Sequence, residues 1–204
     1  MKWREPLFRP PAEAESLIFQ VAYGCPHNTC RFCGMYKGVR YGLRDPAELS
    51  AEIREAGLRF PETNRVFLAD GDVMHLPMEC LRAVLTELNA SFPHLARVGT
   101  YANGSSILSK TPEELAELKR LKLHLLYVGF ESGSQRVLDR FRAGGEESRF
   151  CRPVNWRQIV DTLLPDLHRL AHGDPDIGID YIRILNCFVW IRRDHEVASA
   201  FRGV

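Results

Sequence analysis

Along the first 142 residues, short apolar runs alternate with stretches in which apolar residues recur every three or four positions. The first pattern is that of buried strands, the second that of helices covering them. Residues 16–23, 65–69, 97–101 and 124–130 are the predicted strands. They run respectively into Gly24, Asp70-Gly71-Asp72, Ala102-Asn103-Gly104 and Glu131-Ser132-Gly133-Ser134. Asp45 and Pro46 open a helix with Leu49, Ile53 and Ala56 as its stripe and Gly57 as its stop. Pro77 starts a second, carrying Leu81, Val84, Leu85 and Leu88. Thr111-Pro112-Glu113-Glu114 is a capping box heading a third, with Leu115, Leu118 and Leu121. Ser134 caps a fourth, with Val137, Leu138 and Phe141.

Strand, loop and helix thus repeat about every 30 residues, which predicts an α/β fold of parallel βαβ units. Right-handed crossovers place all the strand-to-helix loops on one edge of such a sheet, where cofactors and chemistry collect. Beyond Gly145 the pattern breaks. Pro165 interrupts the helical stretch 156–172, and only residues 177–191, with Arg183 inside, offer a further strand. The expected organisation is a regular core over 1–142 and a divergent, atypical or poorly packed region over 143–204.

Length and charge narrow the function classes. The 204 residues suffice for a domain with a sizeable core. A net charge of +1, from 27 basic against 26 acidic residues, excludes a histone-type nucleic-acid binder and an acidic tail. No run approaches the roughly 18 apolar residues of a membrane span. Residues 1–11 lack the apolar segment of a secretory signal, so a cytoplasmic setting is expected. In that setting six cysteines point to metal or redox chemistry rather than disulfides.

Three of those cysteines lie in Cys25-Pro26-His27-Asn28-Thr29-Cys30-Arg31-Phe32-Cys33, while Cys80, Cys151 and Cys187 are scattered and read as small apolar residues. Three thiolates can ligate one soft metal centre. With His27 they make a zinc tetrahedron, although Cys25, His27 and Cys30 are crowded and no second ligand pair follows. Without it they can hold an iron–sulfur cube with one iron lacking a protein ligand. Phe32 would shield such a cube from water.

The segment from Gly24 to Tyr36 resembles the cluster loop of the radical S-adenosylmethionine (radical SAM) superfamily. Tyr127-Val-Gly-Phe-Glu131-Ser-Gly-Ser134, followed by Val137-Leu138, is similar to the matching fourth-strand segment of that superfamily. Asp70-Gly71-Asp72 and Tyr101-Ala102-Asn103 fall where it places its cofactor loops. The resemblance implies a partial (βα) barrel, incomplete here relative to a six-unit core. It implies a [4Fe-4S] cluster on Cys25, Cys30 and Cys33, with S-adenosyl-L-methionine chelating the open iron. Reductive cleavage of that cofactor would yield a 5′-deoxyadenosyl radical, with electrons from a donor such as a flavodoxin or ferredoxin. By position, Gly71 and Asp72 would contact the methionine moiety, Glu131 the ribose or nearby groups, and Asn103 the cofactor more weakly. The substrate is not readable, because specificity sits in loops outside the shared core.

Two departures qualify the resemblance. Four residues, rather than the commoner three, separate the first two cysteines. No glycine-bearing fifth or sixth strand is evident after residue 150. The tail is therefore expected to be a divergent end, a truncation or an out-of-frame stretch after about Gly144, the last two being favoured. A chain so altered would bind its cluster and hold S-adenosylmethionine poorly.

Plainer readings stand beside these. Asp70-Gly71-Asp72 and Asn103-Gly104 can be simple turns, and Glu131 a helix cap. His27 reads as a loop residue. His75, His94, His124, His168, His172 and His195 read as surface or supporting groups. Tyr36 and Tyr41 around Lys37 and Arg40 could receive a nucleotide or tRNA, but a solvated loop is the simpler reading, so nucleic acid is not indicated. The alternatives to the enzyme are a noncatalytic zinc or iron–sulfur module, a cluster used for electron transfer alone, and an inactive remnant.

Overall fold

The first apolar run is divided in two. In the computed structural model, which describes residues 3–28, 30 and 33–129 and the backbone of segments 181–185, 189–191 and 197–199, β1 (Leu17–Gln20) lies in the main sheet. The chain then leaves that sheet, and β2 (Ala22–Tyr23) pairs antiparallel with β3 (Gly42–Leu43). The single strand expected over 16–23 is thereby corrected. Val21 is the pivot: its N–H donates to Ala69 O at 3.4 Å, while its carbonyl accepts from Arg44 N at 3.2 Å.

The following elements come in the expected order. Asp45 caps α1 (Pro46–Arg59) by accepting from Glu48 N at 2.9 Å. β4 (Arg65–Ala69) leads to α2 (Met78–Ser91). β5 (Arg97–Ala102) is followed by the short α3 (Gly104–Leu108) and by α4 (Pro112–Arg120), whose Thr111–Glu114 capping box is formed in both directions. β6 (Leu123–Gly129) follows, and Glu131 and the helix expected from Ser134 lie outside the described residues.

α1 does not stop at Gly57. A Cβ there would lie 2.5 Å from Ser91 O, so this glycine is where α1 and α2 approach closely. Asn103 is more than a turn residue: it caps α3 by accepting from Ser105 N at 2.9 Å.

The main sheet has the order β1-β4-β5-β6-β7, all parallel, with β7 (Tyr181–Leu185) supplied by the stretch in which the sequence allowed one further strand. Among the described residues the sheet is open, its edges being β1 and β7. A separate antiparallel pair joins β8 (Val189–Ile191) and β9 (Val197–Ser199). Because the strands of the main sheet run one way, their C-terminal ends share an edge.

The two faces of that sheet pack differently. Leu17, Phe19, Val66, Leu68, Val98, Leu126 and Val128 pack against Ile53, Leu81, Leu85, Leu88 and Leu118 of the helices. The opposite face carries Ile18, Phe67, Ala69, Leu125 and Tyr127, met by Tyr101 and by Leu7 of the N-terminal segment. That segment is pinned by Arg4, which exchanges hydrogen bonds with the Gln20 amide at 2.9 and 3.0 Å. Its Glu13 is fully buried, accepting from Arg97 Nη1 at 2.7 Å, Tyr127 OH at 2.5 Å and Ser16 Oγ. β4 is thus buried on both sides, which is why its sequence is an unbroken apolar run.

Candidate metal centre

Cys25, Cys30 and Cys33 lie in one excursion of the chain whose feet are joined by the β2–β3 pair, Ala22 opposite Leu43 and Tyr23 opposite Gly42. All three are free thiols and half-buried. Gly24 enters the excursion at φ +74°, a conformation that favours glycine. Asn28 braces the loop from inside, its amide donating to Tyr36 O at 2.5 Å and Val39 O at 3.1 Å. Lys37 Nζ returns a bond to Asn28 O at 2.8 Å, and Cys30 N donates to His27 O at 3.2 Å.

Each residue of Asp70-Gly71-Asp72, immediately after β4, holds a different part of this loop. Asp70 Oδ1 accepts from Tyr36 OH at 3.1 Å. Gly71 N donates to Gly24 O at 3.1 Å, and its Cα lies flat against Cys25. A Cβ at residue 71 would fall 2.4 Å from Cys25 Cβ and 2.8 Å from its sulfur, so only glycine leaves that seat open. Asp72 Oδ2 meets His27 Nε2 at 2.7 Å and accepts from Ser106 Oγ at 2.6 Å, while Oδ1 accepts from Asn103 N at 3.1 Å. The tripeptide is therefore a three-point clamp, not an idle turn.

The electrostatics follow from burial. Burial pushes the Cys25 thiol up to about 12, and Asp72, Cys30 and Cys33 add to the rise, so the three sulfurs share one neighbourhood. Three thiolates there repel one another, and a bound cation removes that cost by displacing the protons. Burial also pushes the Asp70 carboxyl up to about 7, against the lowering pull of nearby Gln20 and the Tyr36 hydroxyl. The Tyr36 hydroxyl is itself raised, first by burial and then by Asp70. Tyr101, one residue before the end of β5 on the face that carries Phe67 and Tyr127, is pushed up to about 12 by burial alone.

The predicted site residues divide accordingly. Cys25, Cys30, Cys33, Gly71, Asp72 and Asn103 are gathered at the C-terminal edge of the sheet; Phe32 and Glu131 lie outside the described residues. The sequence reading missed His27 and Asn28, which are braces of the loop rather than incidental loop residues. The one available signal was the four-residue interval between Cys25 and Cys30, which gives the turn room for both. His27 Nε2 is engaged by Asp72, so a tetrahedral Cys3His zinc site would depend on its other ring nitrogen. His75 is exposed and stacks edge-on to His27 at 5.5 Å, and one ligand-type atom each from His27, Asp72 and His75 fall within 4.8 Å of one another. With three donors already on Asp72, this group is a hydrogen-bonded network.

The chain's similarity to known proteins is one of family and fold. The family model of the radical SAM superfamily matches residues 19–156, more than half of the chain. A crystal structure of HydG, a maturase of the [FeFe]-hydrogenase, superposes with a TM-score of 0.53 at 15% identity, over 82% of this chain and 34% of that one. The HydG of Carboxydothermus hydrogenoformans gives 0.48 at 15% identity, over 82% and 35%. The chain thus spans about a third of the length of these maturases. No curated protein matches it. At such identity the likeness is one of fold. Among the described residues no helix is long and apolar enough to cross a membrane.

Proposed function

The chain belongs to the radical SAM superfamily, and from that premise we propose that it binds a [4Fe-4S] cluster on Cys25, Cys30 and Cys33 and cleaves S-adenosyl-L-methionine reductively. The observation that carries this reading is the clamp of Asp70, Gly71 and Asp72 on the cysteine loop, at the sheet edge where βα folds do their chemistry. The donor set fits the group: three thiols of one loop, one of them seated on a glycine that leaves space beside its sulfur. When bound, the cluster and its cofactor supply one-electron reduction of a sulfonium and release of a 5′-deoxyadenosyl radical.

What remains is done by the chain's own residues. Cys25, Cys30 and Cys33 leave a fourth ligand position for the cofactor. Gly71 and Asp72 would hold its methionine moiety, the glycine by allowing close backbone approach and the carboxylate by accepting from the amino group. Asn103 follows β5 as the cap of α3 and holds Asp72 through its N–H. Glu131 is assigned to the ribose and Phe32 to shielding the centre from water. A small acidic electron carrier, a flavodoxin or ferredoxin, delivers the electron in the cytoplasm. Residues 1–142 are the catalytic core, and residues 143–204 belong to a divergent region. Substrate binding falls to loops beyond the C-terminal ends of the strands, outside the shared core.

Anaerobic incubation of the reconstituted protein with S-adenosylmethionine and dithionite tests the reading. Formation of 5′-deoxyadenosine with methionine is expected. A colourless, zinc-loaded protein that leaves the cofactor intact would instead support the noncatalytic module. An intact cofactor with a reducible cluster would support electron transfer alone.

A further inference from the structure

We infer that His27 is a positioning residue for S-adenosylmethionine, aiming the acceptor edge that Asp72 has left at the cofactor's amino group. This rests on the function proposed above. Asp72 is 4% exposed, and its carboxylate takes part in three hydrogen bonds. A carboxylate offers about four acceptor positions, so one remains, on Oδ1. Of the two ends of an amino acid only the amino end can donate to it.

The partners of Asp72 come from different parts of the fold. Asn103 N and Ser106 Oγ belong to the end of β5 and to α3 and fix the carboxylate relative to the sheet. His27 belongs to the cysteine loop, two residues after Cys25, and is itself 4% exposed. Of these three groups, only His27 ties the carboxylate to the sulfurs. A ligand that chelates a metal corner through its amino acid end needs that corner and the neighbouring acceptor at a set separation. Without His27 the carboxylate would still be held to the sheet by Asn103 and Ser106, but no longer to the cysteine loop that sets its separation from the metal corner.

His27→Leu and His27→Gln separate this role from mere packing, because both fill the buried space and the second can still donate to Asp72. Both are reconstituted anaerobically as full chains. Iron and sulfide per chain are counted, and S-adenosylmethionine is titrated against the electron paramagnetic resonance signal of the reduced cluster. His27→Leu is expected to keep the parent's iron and sulfide yet need about tenfold more cofactor for the same spectral shift, the loss of one hydrogen bond to a charged group. His27→Gln is expected to return to within about threefold of the parent. Equal titrations for parent and His27→Leu would overturn the inference, as would loss of the cluster in His27→Leu or failure of His27→Gln to recover. A parent whose cluster signal ignores the cofactor would overturn the proposed function instead.

Discussion

Asp70 shows how much strain the clamp tolerates. It sits at φ +113°, an uncommon conformation for a residue with a side chain, and is 1% exposed. Its Oδ2 has no hydrogen-bond partner among the described residues. The folded-state value near 7 lies above the ordinary 3.8, so the folded chain binds this proton more tightly than the unfolded one. The resulting penalty is absent below about pH 4, grows as pH rises toward 7, and is complete above it. Asp70→Asn keeps the shape and suits the positive φ, so it should stabilise the cluster-free protein by roughly 1–3 kcal/mol at pH 8. Urea melts should show a smaller gain at pH 5, and a gain independent of pH would contradict the assignment to this carboxyl. At this scale the cysteines and the Asp-Gly-Asp tripeptide were legible because their spacing is local. The His27–Asp72 bond was not, since its partners stand 45 positions apart and an isolated histidine carries no mark of its acceptor.

At the scale of elements, caps announced themselves and crossings did not. Asp45 and Thr111 act where the sequence put them, because an N-cap bonds within three residues of itself. Gly57 reads as a stop until the partner helix is known: its missing Cβ makes room for the Ser91 carbonyl, not for a turn. The first strand was read too long for a related reason. Val21 and Ala22 are apolar enough to continue β1, but the pairing of β2 with β3 depends on Gly42 and Leu43, twenty residues away. Gly57→Ala should push α1 and α2 apart at a cost of about 1–3 kcal/mol, the ordinary range for overpacking. A thermal melt of the cluster-free protein would register this as a lower midpoint. An unchanged midpoint would mean that the helices shift without cost and that the crossing is not close-packed.

For the whole molecule, parallel order was legible from four apolar runs alternating with helical stretches, whereas β7 carried a faint signal because Arg183 breaks its run. The N-terminal segment was invisible to pattern reading, yet it gives one face of the sheet its Leu7 contact and, through Glu13, a buried network joining Arg97 of β5 to Tyr127 of β6. Burial raises the Glu13 carboxyl, but its bonds to Arg97, Ser16 and Tyr127 outweigh that and hold it below the usual range. The network lies near the start of β5, and the cysteine loop lies beyond the opposite ends of the strands. The central claim is that the sulfurs of Cys25, Cys30 and Cys33, clamped after β4, jointly hold one cluster. Iron and acid-labile sulfide per chain after anaerobic reconstitution test it most directly, compared across the parent, Cys33→Ala, Gly71→Ala and Cys80→Ala. The account predicts about four of each for the parent and Cys80→Ala, with a marked loss in the other two, where a ligand is removed or a methyl meets Cys25. Full loading of Cys33→Ala and Gly71→Ala, or a parent that takes up zinc and no sulfide, would contradict it.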